Sequence, residues 1–211
     1  MPEAIDLKRL MPDARAFLTE LAAHNDRDWF NIHKAEYDSL LKRPAEKLLA
    51  DVARWMEMEQ GHTVRTKLFR PHRDVRFSED KTPYHTHLHM MWSRTDGRAW
   101  MLGISPAYAT FGAGVMGFEP SQLDRYRAAV AGPDGETLAE MIEDHGWRID
   151  PPALKRVPPP YPADHPRAAL LRQKGLVAWR DGLEEALSHD PFVCLRAEIE
   201  DRAQLMDWLN V

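Results

Sequence analysis

The sequence predicts an α+β fold, with a mainly antiparallel central sheet flanked by N-terminal and C-terminal helices. Three observations carry this expectation. Apolar residues recur at helical spacing before residue 60 and after residue 121. Between residues 62 and 118 the period changes to two, with a turn signal between alternating runs. The regular alternation of strand and helix that builds a parallel sheet is missing. With 211 residues and 44% hydrophobic content, the chain reads as a single domain, 1–211. It divides into an N-terminal helical region (residues 1–60), a sheet region (residues 62–118) and a C-terminal helical region (residues 121–211).

The elements follow in order. Phe17, Leu18 and Leu21 share one face of a helix starting near Pro12-Asp13. Asp26 or Asp28 caps the next element, which opens on Trp29-Phe30. Pro44 starts a fresh helix whose apolar stripe is Leu48, Leu49, Val52, Trp55 and Met56. Val64, Thr66 and Leu68 lie on one side of a strand, with Arg65 and Lys67 on the other. Thr86, Leu88, Met90 and Trp92 then alternate with His85, His87, His89 and Met91. Asp96-Gly97 is a hairpin signal, and Trp100, Leu102 and Ile104 continue the return strand. Ser121 caps a helix through Leu123, Tyr126 and Val130, and another helix fits 134–145. The proline-rich stretch 151–166 reads as an extended surface segment anchored by Leu154, Val157 and Tyr161. Residues 197–210 form a closing helix with Ile199, Leu205, Met206 and Leu209 inward.

Composition narrows the function. Net charge −5 and a pI near 6.1 argue against a nucleic-acid or membrane-surface protein, which carries a basic excess. Residues 99–118 are uncharged over a bilayer-spanning length, but Pro106 and four glycines interrupt them, so they read as two strands and a turn. Cys194 is the only cysteine, which excludes an internal disulfide and points to a reducing, cytoplasmic location. The start has no apolar run after a basic segment and so does not read as a secretory signal.

The informative stretch is FRPHRDVRFSEDKTPYHTHLH, 69–89. Across 65–87, six cations (Arg65, Lys67, Arg70, Arg73, Arg76, Lys81) face Asp74, Glu79 and Asp80, a local charge of +3 on a chain whose other residues sum to −8. Such a positive island draws an anion, and the arginine fork binds carboxylate or phosphate through paired hydrogen bonds. The opposing reading is an ion-pair network in which Arg73, Asp74, Arg76, Asp80 and Lys81 neutralise one another and staple a loop. Val75, Phe77, Pro83 and Tyr84 interrupt the charges and can pack the loop against the core. His85, His87 and His89 share one strand face. Alternate residues stand roughly 6–7 Å apart, too far for all three to meet one metal from a flat strand. His87 alone is a candidate general base or phosphate donor, and a polar strand face without chemistry is the plain alternative.

Two other signals are discounted. GAGVMG, 112–117, matches a dinucleotide-loop pattern, but Phe118-Glu119-Pro120 follow at once and no helix opens within it. A glycine-rich strand approached closely by another segment accounts for it better. Cys194 has no nucleophile signature around it and reads as a buried small hydrophobe.

The central run resembles the signature of the domain of unknown function 2461 family. Arg70, Arg73, Asp74, Arg76, Phe77, Ser78, Asp80, Lys81, Thr82, Pro83, Tyr84, Thr86 and His87 fall on that pattern. His85 departs from it, standing where the family usually has Lys. NDRDWF (25–30) with Lys34 and Tyr37 is similar to the family's N-terminal segment. Gly112 to Pro120, then Tyr126-Arg127, resemble its glycine-rich strand and following helix. LKRVPPPYPADHP, with Leu171 and Lys174, resembles a later segment, although the family tends to have Gly where this chain has Pro160 or Tyr161. The resemblance implies a single α+β domain and the importance of 70–87, and no reaction.

Two expectations follow. In the first, Arg70, Arg73, Arg76 and Lys81 bind a small phosphate- or carboxylate-bearing ligand. Asp74 or Asp80 orients them or serves as acid or base, and Tyr84 and His87 donate hydrogen bonds or move protons. Arg127 and Lys174 join this set through the resemblance alone. An enzyme of this kind would perform hydrolysis or group transfer without a metal, and the residues identify no cofactor. In the second, the Arg–Asp motif is structural and the protein is a non-enzymatic binding or scaffold protein whose exposed aromatics and proline-rich strip meet a protein partner.

Overall fold

Leu10, Met11, Ala14, Phe17, Leu18 and Leu21 recur every three or four residues, and all six are buried along α1 (Leu10–Ala23). The computed structural model describes residues 5–210. The first four residues, which belong to the start read as lacking a secretory signal, and the last one lie outside the described residues.

The helix α1 begins earlier than Pro12-Asp13. The Asp6 carboxylate accepts from the Lys8 amide at 3.1 Å and caps a 3₁₀ turn, Leu7–Arg9, that runs straight into α1. Pro12 then sits in the first turn, where no backbone donor is needed. Asp26, the expected cap, accepts from the Trp29 amide at 2.8 Å and starts α2 (Arg27–Ile32). A short α3 (Lys34–Glu36) and a π-helical turn, Tyr37–Lys42, lead into α4 (Arg43–Gln60). Pro44 therefore does not start a fresh helix, because Lys42 already has helical dihedrals. Its missing N–H falls where the wider π turn already interrupts the regular ladder. The stripe expected on α4 is buried.

The strands are β1 (Arg65–Leu68), β2 (Leu88–Ser93), β3 (Arg98–Ile104), β4 (Ala109–Val115), β5 (Arg148–Ile149) and β6 (Leu176–Asp181). They form an antiparallel sheet in the order β1-β2-β3-β4-β6-β5. The fold is α+β, as the periodicity indicated. In the turn at Asp96-Gly97, the Arg94 amide donates to the Arg98 carbonyl at 2.8 Å. Burial along β2 alternates residue by residue, with Leu88, Met90 and Trp92 inward. The uncharged stretch 99–118 supplies β3, a turn and β4, and no helix among the described residues is long and apolar enough to cross a membrane. β5 and β6 arise within 121–211, the region expected to be helical.

The remaining helices are α5 (Pro120–Ala131), α6 (Asp134–His145), α7 (Ala168–Leu171), α8 (Glu184–His189), α9 (Pro191–Asp201) and α10 (Ala203–Trp208). Ser121 is not the cap of α5. Glu119 holds that place without a side-chain bond, and Pro120 with its preset φ opens the helix. The single closing helix is in fact two. The break falls at Arg202, whose fully buried side chain turns inward to the Ala178 carbonyl at 3.1 Å and the Glu198 carboxylate at 2.7 Å. Ile199, Leu205, Met206 and Leu209 are buried, as expected. The stretch 151–166 forms neither helix nor strand, and Leu154 ties it to the Arg172 carbonyl at 3.0 Å. Cys194 is buried and forms no disulfide.

The chain gathers into two compact units. One comprises residues to Trp92, Met101–Phe111 and Asp181–Ala197. The other comprises Ser93–Trp100, Gly112–Arg180 and residues from Glu198 on. In the first, Trp92 is fully buried and its indole N–H donates to the Leu49 carbonyl of α4 at 3.0 Å. In the second, Gly112 and Gly114 of β4 face β6. A Cβ on Gly112 would enter the Trp179 ring, and one on Gly114 would meet the Leu176 carbonyl oxygen. The close approach expected of GAGVMG is thus what the glycines serve, within an antiparallel strand.

Candidate functional site

The segment 69–89 is a hairpin-like arm continuing β1 and β2. The Phe69 amide donates to the His89 carbonyl at 3.0 Å, the His85 amide to Pro71 at 2.7 Å and the Arg73 amide to Pro83 at 2.8 Å. Prolines at 71 and 83 accept but cannot donate, so the ladder becomes irregular toward its tip. Asn25, just before α2, clamps the arm. Its side-chain N–H donates to the Tyr84 carbonyl at 2.9 Å, and its carbonyl accepts from the Tyr84 amide at 3.1 Å. The Tyr84 ring is 4% exposed and stacks on Phe30 at 4.1 Å. Tyr84 thus anchors the arm to the core.

Beyond the clamp the charges pair with one another. The Arg73 guanidinium, mostly buried, donates to the Asp80 carboxylate at 2.5 Å, to the Thr82 carbonyl at 3.1 Å and to the Thr82 hydroxyl. The Thr82 amide also binds Asp80 at 2.9 Å. That amide, and then Arg73, hold the Asp80 carboxyl down at about 2. The Arg76 Nε and Nη2 bind the two oxygens of Asp74 at 2.9 and 2.6 Å, and this pairing lowers the Asp74 carboxyl. The Lys81 ammonium donates to the Val75 carbonyl at 3.0 Å. Arg70 is exposed, and its charge also lowers Asp74. At the tip Phe77 is 96% exposed, with Arg76 over its ring.

His87 lies in a ladder of imidazoles. Its ring stacks on His89 at 3.7 Å and on His85 at 4.7 Å. The His89 Nε2 lies 2.8 Å from the Tyr108 hydroxyl. Parallel stacked rings send their nitrogens side by side, not toward one centre. Among the described residues no group of three or more His, Cys, Asp or Glu is arranged to hold a metal ion. Burial, then the neighbouring His89 and His85, push His87 down to about 4, and burial lowers His89 and His85 too. The ladder is therefore neutral near pH 7. The unfolded chain protonates His87 near pH 6.5, whereas the folded chain resists until about pH 4. Stability thus falls as pH drops through that window. The loss is about 1–2 kcal/mol after discounting for a half-exposed ring. Urea midpoints at pH 7 and pH 4.5 measure it. A His87 titration by NMR with its midpoint at or above 6.5 would contradict it.

The structure brings Arg70, Arg73, Asp74, Arg76, Asp80, Lys81, Tyr84 and His87 together on one arm. Arg127 and Lys174 belong to the other unit. There the Arg127 Nε donates to the Leu171 carbonyl at 3.2 Å, and the Lys174 carbonyl accepts from the Phe118 amide at 2.8 Å. Asn25 and Tyr108 do not stand out in the sequence as site residues. The only signal for Asn25 is its place at the head of NDRDWF, and Tyr108 gives none.

Comparison with curated proteins and with solved structures gives no match. A family model matches residues 13–208, nearly the whole chain, and covers both the arm and the NDRDWF segment that clamps it. The chain belongs to that family, described as conserved hypothetical protein (DUF2461).

Proposed function

We propose that the protein is a non-enzymatic binding protein whose arm, 69–89, is a recognition element for a protein partner. One observation carries this reading: Nη1 of the Arg73 guanidinium is engaged by the Asp80 carboxylate and by the Thr82 carbonyl and hydroxyl, so this pairing within the arm fixes its shape. Arg76 is likewise engaged by Asp74. What this frame presents outward is Phe77, with the Arg76 guanidinium beside it. Aromatic and arginine side chains in that arrangement are the residue types that dominate protein interfaces.

The test is Arg73→Met. It should speed amide exchange at Arg73 and His85 at least tenfold, abolish partner binding and leave the rest of the fold protected. Unchanged exchange on the arm would overturn this reading. One observation favours a small anionic ligand instead. Asp74 takes the Nε and Nη2 of Arg76, which leaves the Nη1 edge of an exposed guanidinium turned away from that carboxylate. A melting temperature that rises with inorganic phosphate, and no longer does so in Arg76→Ala, would establish that reading.

A further inference from the structure

We propose that acid regulates the arm: protonation of the ladder formed by His85, His87 and His89 loosens the arm from the sheet and withdraws the recognition element. This rests on the arm being a recognition element and adds how that element is controlled. The ladder spans the junction between sheet and arm. His89 belongs to β2, whereas His85 lies in the arm beside the clamped Tyr84. His87 stacks on both, at 3.7 Å from His89 and 4.7 Å from His85. The backbone bonds that flank the rings run from the His85 amide to Pro71 and from the Phe69 amide to His89. His89 has no room to retreat toward β3, because even a Cβ added at Gly103 would lie 3.2 Å from its ring. Charge on the rings therefore pushes apart the segment that joins arm to sheet.

Nothing around the ladder neutralises that charge. From the arm, Arg73 acts on His85 and adds to the effect of burial there. β1 brings the cations Arg65 and Lys67. The Lys67 ammonium sits 4.3 Å from the centre of the Phe69 ring, which meets His89 edge-on at 6.3 Å. β3 brings Gly103, without a side chain. Ahead of β4, the Tyr108 hydroxyl lies 2.8 Å from the His89 Nε2, and burial keeps it neutral. His72 packs on Tyr84 and Phe30 instead. Among the described residues no carboxylate acts on the three rings. The arm's own acids are held low, Asp74 by Arg76 and Asp80 by the Thr82 amide and then Arg73. The arm's internal pairs thus stay ionised while the ladder titrates.

A released His87 takes its proton near pH 6.5, and the ring in the ladder only at about 4. Between those values the released arm binds a proton that the closed arm does not, so falling pH favours release. At about pH 5 this linkage is roughly 30-fold for His87, or about tenfold after discounting for a half-exposed ring. Amide exchange at about pH 7 and about pH 5 tests it, read as protection factors so that the chemical pH dependence of exchange cancels. Protection of the Phe69 and His85 amides should fall about tenfold between the two, while protection along α4 holds. His87→Phe keeps a ring in the stack but takes no proton, so its arm should lose less than about threefold. His87→Gln repeats the test with a smaller uncharged side chain should the phenyl ring not fit. Wild-type arm protection that ignores pH overturns the proposal. So does a fall of full size in a folded variant, or a parallel loss along α4. The Arg73→Met result is read at neutral pH, so an arm indifferent to acid leaves the recognition reading standing.

Discussion

Asn25→Ala is expected to lower stability by about 2–4 kcal/mol and to free the arm from the helical core. The side chain of Asn25 serves both backbone groups of Tyr84, one as donor and one as acceptor. Tyr84 itself is buried, so its amide and carbonyl would be left without those bonds. Each unsatisfied buried group costs roughly 1–3 kcal/mol. For a chain of this size the melting temperature should drop by roughly 5–15 °C. Amide exchange at Tyr84 and His85 should rise more than exchange along α4. Asn25→Asp keeps an acceptor for the Tyr84 amide but loses the donor to its carbonyl, so it should fall between wild type and alanine. A melting curve for Asn25→Ala that overlays the wild type would show that Phe30 stacking alone holds the arm.

Gly114→Ala should be more damaging, at about 3–5 kcal/mol or more. Two effects combine. Gly114 has φ +150°, a region that L side chains rarely adopt. A Cβ there would also strike the Leu176 carbonyl and come within 2.8 Å of the Val177 Cα. Both obstacles are backbone, so no rotamer change relieves them, and β4 and β6 would have to separate. Gly117→Ala is the control. Nothing lies within 4 Å of its added Cβ, so its stability should stay within about 0.5 kcal/mol of wild type. Urea denaturation of the pair measures the contrast. Equal midpoints would mean that β6 does not lie against β4 as described.

The fold is legible where one side chain reports one face. Leu88, Met90 and Trp92 alternate with polar neighbours because one face of β2 is buried, and period two is the direct trace of that asymmetry. The α4 stripe reports a helix packed on one side in the same way. β6 leaves no such trace. Its first three residues are all buried and its last two exposed, so Leu176–Asp181 does not alternate. β5 has only two residues, too few for any period to appear. The start of α1 is hidden because Pro12 looks like an opening residue, whereas Asp6 has already capped the chain upstream.

The candidate site divides in the same manner. Residue order alone established that charge gathers at 69–89, that aromatics and prolines interrupt it, and that three histidines fall on one side of an extended segment, although only His89 lies within β2. Those are properties of residue order, and local backbone geometry converts order into sides. The three-dimensional arrangement adds that Arg73 pairs with Asp80 and Thr82 through Nη1, that Asn25 grips Tyr84 from 59 positions away and that Phe77 stands in solvent. A cationic side chain has the same charge whether it awaits a ligand or closes on a neighbouring acid. Which it does depends on distances of a few ångströms between groups that the folding of distant segments brings together.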